Sequence, residues 1–516
     1  MDAADWTQGY VADVGYTHGY YPELHPQRAQ FALLCSGWAA PRMHAACELG
    51  FGQGLSIAMH AATQSLQWWG TDFNPQQAVF AQHLADVSGA QAHLFDDAFD
   101  EFARRPDLPE FDFIALHGIW SWISDENRRT IVDLVRRKLR VGGVVYLSYN
   151  TLPGWSYFAP MRHLMAQHAQ VMGRAGEGVV NRVSGALEFA EKVLALDPVY
   201  ARVSPAVKER FAHVKVSSPS YLAHEYFNRD WHPMYFADMV RWLEPAKLSF
   251  ACSAQFAEHV DAINVGPEQR QFLAEIPDAV LRESTRDFLV NKQFRRDYWI
   301  KGGRRLSAAE QREALAEQAI VLATPRAKVP LVVKGYAGEA QMAREVYEPL
   351  LDQLADHRPV TFGALAQRLA FVKDLNFAKI LQAVIVLMDG NHVAPANSAE
   401  AAERYAPPAQ RLNMHFWLRA RVADDIHFNL SPVTGTGLLV NRFEQLFLLG
   451  VSEGVAANAQ DLARFAWHFL ASQNQRLRRD GKAVEDPEEN LRMLAESAGE
   501  FLERLPVFRA LRVAQG

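Results

Sequence analysis

The run Glu48-Leu49-Gly50-Phe51-Gly52-Gln53-Gly54, followed by Gly70-Thr71-Asp72, constrains this chain more than any other part of it. It reads as a strand ending in an acid, a glycine turn, a helix, a second strand and a second acid. Glycine lets a backbone turn tightly and come close to a ligand. A carboxylate at the tip of the second strand is placed to hydrogen-bond a ribose. Gly50 and Asp72 stand 22 residues apart, against the roughly 20 of a nucleotide-binding unit.

The ligand follows from the charge beside the glycines. They run Gly50-x-Gly52-x-Gly54 rather than G-x-G-x-x-G, with Glu48 immediately upstream. A pyrophosphate is favoured at a bare helix N-terminus and disfavoured beside a carboxylate, whereas a cation is favoured there. S-adenosylmethionine carries a sulfonium and an ammonium and no phosphate. The run resembles motif I of class I methyltransferases, E/D-x-G-x-G-x-G; the competing reading is a glycine-rich turn of any α/β protein.

Composition narrows the setting. The 516 residues are 49% hydrophobic and 22% charged, enough for two or three globular domains. A net charge of -6 gives no basic footprint for nucleic acid or an anionic membrane. Cys35, Cys47 and Cys252 are too far apart for a disulfide framework or a zinc site. Met1 to Trp6 is acidic and lacks the apolar core of a signal peptide. No apolar run reaches the length of a membrane span, so a soluble, cytoplasmic protein is expected.

Along the chain, aromatics crowd the first forty residues (Tyr10, Tyr16, Tyr20, Tyr21), and a helix is expected from Pro26 towards Trp38. Strands are expected at 45–49, 67–71, 91–95, 111–116 and 144–149, the last entered through a turn at Gly142-Gly143. Helices are expected over about 53–63, from Asn74-Pro75, and over about 125–139. This alternation predicts one parallel sheet with helices on both faces. Residues 156–237 read as a helical insertion, and the sheet resumes at 248–252 and 296–300. The first domain is thus expected over 1–155 plus 238–305. A charged helix is expected over 308–323, inside a winged-helix-like domain over 306–400, and a mostly helical domain over 401–516. The third helix of the winged unit is nearly all apolar. It lacks the Arg, Lys, Asn or Gln face that reads DNA, so it is expected to pack against protein.

Several residues are placed to carry chemistry. Asp72, with Phe73 after it, faces the ribose, or caps the helix near Asn74. Asp97, with the Ala98 backbone beside it, faces the adenine amino group; Asp96 can exchange with it. Glu48 orients the glycine loop or meets the ammonium. Beyond strand four, Trp120 and Trp122 wall a transfer channel, where aromatic faces attract cations, or are core tryptophans. His117 orients the cofactor, relays a proton, or is structural. Beyond strand five, Asn150 and Pro153 resemble the Asn-Pro-Pro-Tyr loop of amine methyltransferases, although that loop follows strand four. Tyr149 is placed to accept the amine proton or to hydrogen-bond the acceptor. His224-Glu225 and His232 lack metalloprotease spacing, and no metal is expected. Residues 228–233 read as a structural clasp.

Together, Glu48 to Gly54, His117 to Trp122, Ser148 to Trp155, Glu225 to Asn228, Asp287 to Asn291 and Phe294 to Asp297 resemble one family. It is the class I methyltransferases with a methyltransferase regulatory domain, which include rickettsial protein-lysine methyltransferases. The resemblance covers about residues 10–305, and more loosely the rest. It implies a Rossmann-like sheet, S-adenosyl-L-methionine as cofactor, lysine side chains of a protein as acceptor, and a homodimer. A small-molecule N- or O-methyltransferase and a non-catalytic cofactor-sensing interaction protein are the competing functions.

Overall fold

The computed structural model describes residues 17–173 and 178–514; Tyr10, Tyr16 and the segment Met1 to Trp6 lie outside the described residues. Seven strands form one sheet: β1 Ala45–Leu49, β2 Gln67–Thr71, β3 Ala92–Phe95, β4 Phe111–Leu116, β5 Leu139–Asn150, β6 Leu248–Ser253 and β7 Phe294–Lys301. Their spatial order is β3-β2-β1-β4-β5-β7-β6. β1 to β5 pair in parallel, and β7 runs antiparallel between β5 and β6. The order reverses between β1 and β4, so a ligand crevice opens beyond their carboxyl ends. Helices α1 Pro26–Cys35, α2 Leu55–Ala62, α3 Pro75–Ser88, α4 Phe99–Arg104 and α5 Asp125–Lys138 accompany the parallel strands.

Strand alternation sorts the core into two faces. Ala46, Phe113, Ala115, Val144 and Tyr146 join one cluster. Cys47, Ile114, Leu116, Val145, Leu147 and Tyr149 join the other. Local signals set the helix ends. Pro75 occupies the first position of α3, the Asn74 side chain accepts from the Gln76 N–H at 3.0 Å, and Gly89 ends the helix at φ 69°. In α5, Ser124 caps a first turn holding Asp125 and Glu126, and Arg136, Arg137 and Lys138 sit at the opposite pole of the dipole.

Two boundaries differ from expectation. Leu139 already pairs with Phe111, so Gly142-Gly143 lie in a bulge inside β5 rather than in a turn ahead of it. The charged helix stops at Ala316; Ile320, Val321 and Leu322 are fully buried, and Ala319–Leu322 pairs as a strand with Val360–Thr361 and Val393–Pro395. Helices Arg344–Gln353, Phe362–Arg368 and Phe377–Asp389 bury Leu350, Phe362 and Ile380 in one core with Ile320 of that strand and with Ala46 and Tyr146 of the main sheet. The last helix buries Ile380, Val384 and Leu387, and one strand follows it, so a two-stranded wing is not formed among the described residues.

Helices Ala159–Met172, Val179–Ala195, Ala206–Lys215 and Pro219–Tyr226 of the insertion pack around Phe158, Met165, Val183 and Phe211 in a core of their own. In the C-terminal region, helix Ala399–Ala420 places Leu412 and Phe416 in one core with Leu55 and Met59 of α2 and Leu84 of α3. No described helix is long and apolar enough to cross a membrane.

Candidate active site

A cleft of about 1270 Å³ of empty space, its open mouth included, lies beyond the ends of β1, β2 and β4. Its floor is the glycine loop. Gly50, Gly52 and Gly54 all hold left-handed φ, at 73°, 58° and 70°. A Cβ on Gly50 would strike Ile119 Cδ1 at 2.4 Å, and one on Gly54 would strike Ala81 Cβ at 2.2 Å. Gly50 and Gly52 line the cleft. Gly54 does not: it starts α2 and lets that helix close on α3, a packing role in place of the expected ligand contact.

Asp72 locks the loop. Its carboxylate accepts from the Gly52 N–H at 2.8 Å and the Asn74 N–H at 3.1 Å, and the Gly50 N–H donates to the Thr71 carbonyl at 2.8 Å. Burial pushes Asp72 up to about 6, against the opposing pull of those two amides. Glu48 is buried beside it, and its Oε2 has no hydrogen-bond partner. Burial, then the neighbouring Asp72 charge, raise Glu48 well above the carboxylate range. Phe73 and Asp97 also line the cleft. Arg105 donates to Asp97 at 3.0 Å and stacks over Phe95. Ala98 lines it too, but its N–H already donates to Glu101 at 3.0 Å. Asp96 is exposed and outside the lining.

His117 sits at the end of β4. Its ring stacks on Tyr21, centroids 3.6 Å apart, and its Nδ1 bonds the Tyr146 hydroxyl at 2.8 Å. Burial lowers its pKa to about 3, so the imidazole is neutral.

Three expected channel residues lie elsewhere. Trp120 is fully buried: its carbonyl accepts from Arg128 at 3.0 and 3.1 Å, and its ring meets Trp242 edge-on. Trp122, two positions on in the same short helical turn, lines the cleft. Tyr149 falls on the face of β5 opposite Tyr146 and donates to Asp297 at 3.1 Å within a buried group that includes Arg295 and Asp287. Asn150 is buried outside the lining, tied through its N–H to Ser121 at 2.8 Å; its side-chain Nδ2 has no partner.

Sequence reasoning missed Tyr21 and Asp230, both in the lining. Asp230 lies in the expected clasp, which is clipped over the strand ends: the His232 N–H donates to the Ser121 carbonyl at 2.8 Å and the Met234 N–H to the Asn150 carbonyl at 3.0 Å. No local spacing connects Asp230 to a loop some 180 residues earlier. Tyr21 carried a signal, an aromatic pair just before α1, without a direction.

The lining holds Glu48, Asp72, Asp97 and Asp230 and, among the described residues, neither Lys nor Arg. Such a donor set fits a cationic nucleoside, with the orphaned Glu48 oxygen as the natural seat of positive charge, and opposes a pyrophosphate. The strand order, the antiparallel β7 and a glycine loop at the switch point define the class I methyltransferase fold.

Comparison with known proteins narrows the class. Residues 218–301 match the family model described as "Predicted methyltransferase regulatory domain". The chain is 36% identical over 515 residues to the uncharacterized protein sll1526 of Synechocystis sp., covering 99% of this chain and 100% of that one. The uncharacterized protein RP789 of Rickettsia prowazekii is 25% identical over 303 residues, 56% of this chain and 53% of that one. Among solved structures, PKMT2 from Rickettsia typhi in complex with AdoHcy superposes with a TM-score of 0.67 at 17% identity, covering 96% of this chain and 100% of that one. The chain belongs to the family of methyltransferase-fold proteins that carry the methyltransferase regulatory domain.

Proposed function

We propose that the cleft binds S-adenosyl-L-methionine and that the protein methylates an amine, namely a lysine side chain of a protein substrate. The observation that carries this reading is the uniformly acidic lining around an unpartnered buried carboxylate. In it, Glu48 neutralises the ammonium of the cofactor, Asp72 accepts from the ribose hydroxyls, and Asp97 accepts from the adenine amino group. Each carboxylate oxygen can accept a further hydrogen bond beyond those it already has. When bound, the cofactor supplies a methyl group on a sulfonium.

The remaining lining residues prepare the acceptor. Free lysine is protonated, with a pKa near 10.4, and only the neutral amine attacks. Trp122 and Tyr21 bring apolar surface to the cleft, and desolvation there favours the neutral amine. Asp230 gives an arriving ammonium a carboxylate in the lining. His117, neutral and bonded to Tyr146, orients rather than relays protons. Catalysis then rests on alignment of nucleophile and methyl group. The resemblance of the whole chain to PKMT2, with AdoHcy bound in that structure, supports the cofactor and the protein acceptor.

Incubation with methyl-labelled cofactor and cell lysate tests the reading. Label in protein, recovered as methyl-lysine after acid hydrolysis, is the expected result. Label only in small metabolites removes the protein acceptor, and binding without turnover removes the enzyme.

A further inference from the structure

Tyr20 and Tyr21 are adjacent in sequence and face different parts of the molecule. Tyr21 stands in the cleft, stacked on His117, and its N–H donates to Ser56 of α2 at 2.9 Å. Tyr20 points the other way, into a core shared by Leu55, Met59 and Leu84 with Leu412, Phe416, Ile426 and Leu430 of the C-terminal region. Its ring lies 5.3 Å from that of Phe428, and its hydroxyl bonds His60 at 3.2 Å. The Gly437 backbone and the Thr436 hydroxyl meet the same hydroxyl.

The loop holding Thr436 and Gly437 is itself buried and tied by its own hydrogen bonds. It joins strands Phe428–Leu430 and Gly437–Leu439. Ser431, Thr434 and Thr436 are buried, and the Gly435 N–H donates to the Ser431 carbonyl at 2.9 Å. Outward, its Gly435 carbonyl accepts from Thr63 at the end of α2 at 2.9 Å. Asn397, which accepts from Gln27 of α1 at 2.9 Å, donates to the Pro432 carbonyl at 3.0 Å. The loop therefore touches α2 and Tyr20 directly and reaches α1 through Asn397.

We propose that the C-terminal loop 431–437 holds Tyr20 and through it positions Tyr21 as a wall of the cofactor cleft, so that cofactor affinity is set from the C-terminal region. Tyr20 is a positioning residue, since it touches no part of the cleft. The inference rests on the cofactor reading above. Its physical content is short leverage: one peptide unit separates a ring fixed in an inter-region core from a ring that faces ligand. Loss of the core contact frees the cleft ring to leave His117.

A double-mutant cycle on the full chain tests this, with S-adenosylhomocysteine as the probe and calorimetry as the readout. Tyr21→Ala is expected to weaken binding by about tenfold or more, and Tyr20→Ala by nearly as much. The double variant is expected to lie within about twofold of Tyr21→Ala, because Tyr20 acts only through Tyr21. Tyr20→Phe, which keeps the ring against Phe428 but lacks the hydroxyl that meets Thr436, is expected to weaken binding only by about threefold, as Thr436→Val does. Thr436→Val, remote from the cleft, is expected to weaken binding by about threefold. If Tyr20→Ala does not fold, Tyr20→Leu keeps the buried apolar volume and takes its place. The inference is overturned if Tyr20→Ala and Thr436→Val bind like the parent, or if the Tyr20 and Tyr21 losses multiply. A parent chain that fails to bind the probe overturns the cofactor reading and this inference together; variants that bind like a competent parent overturn this inference alone.

Discussion

At the scale of single residues, the cleft stores unfavourable electrostatics that a cationic ligand relieves. Glu48 is buried without a partner for Oε2. Glu48→Gln leaves a polar atom unpaired in the same place, so it is expected to change ligand-free stability by less than about 1 kcal/mol, and to weaken S-adenosylmethionine binding by about tenfold or more. Thermal unfolding and calorimetry on the same samples check both. Asp72 makes stability depend on pH. The unfolded chain loses this proton near 3.8 and the native chain near 6. Between those values the native state holds a proton that the unfolded state lacks. The contribution of this group to ligand-free stability therefore falls as pH rises through that window, by at most about 3 kcal/mol. Cofactor affinity is expected to move oppositely, weakening as the pH drops below about 6, because a protonated Asp72 accepts less strongly from the ribose hydroxyls; binding measured from pH 5 to 8 checks it. His117, already neutral, is expected to contribute no inflection in that range.

At the scale of elements, the glycine loop separates two roles that a motif merges. Gly54→Ala meets both a left-handed φ and Ala81, and is expected to destabilise the fold by about 2–4 kcal/mol. Gly52→Ala meets nothing nearer than Gln77 Oε1 at 4.0 Å, so backbone strain of about 1 kcal/mol falls on the loop tied to Asp72. That change is expected to weaken ligand binding more than it lowers the melting temperature; comparing the two readouts across both variants separates the roles. The same contrast marks how far the sequence could be read. Strand apolarity and Asn74-Pro75 gave the sheet and its helices to within a few residues, because those signals are local. Trp120 was legible as either a channel wall or a core tryptophan, and Tyr149 only as an aromatic residue at a strand end. Which of two faces receives the cleft depends on the pairing of β5 with β7 and on the helix laid against it. Asp230 reaches the cleft through backbone bonds to Ser121 and Asn150, which no spacing encodes.

At the scale of the whole molecule, charge and topology bind distant segments together. Arg295 bridges Asp297, Asp287 and Glu283, all buried or nearly so. Arg295→Met is expected to leave those carboxylates uncompensated and cost about 3–5 kcal/mol, read as a lower denaturation midpoint. Arg411 of helix Ala399–Ala420 donates to the Ser88 carbonyl at the end of α3 at 3.1 Å, so the C-terminal region is fastened to the cofactor side of the sheet as well as to Tyr20. The segment matched by the regulatory family model contributes β6 and β7, two of the seven sheet strands. A protein ending at residue 217 would leave β5 with its apolar outer edge unpaired along Val144 to Asn150, an open template for intermolecular strand addition. Such a truncation is expected to sediment as aggregate rather than persist as a deregulated enzyme, which means that whatever governs this protein cannot be cut away from what it governs.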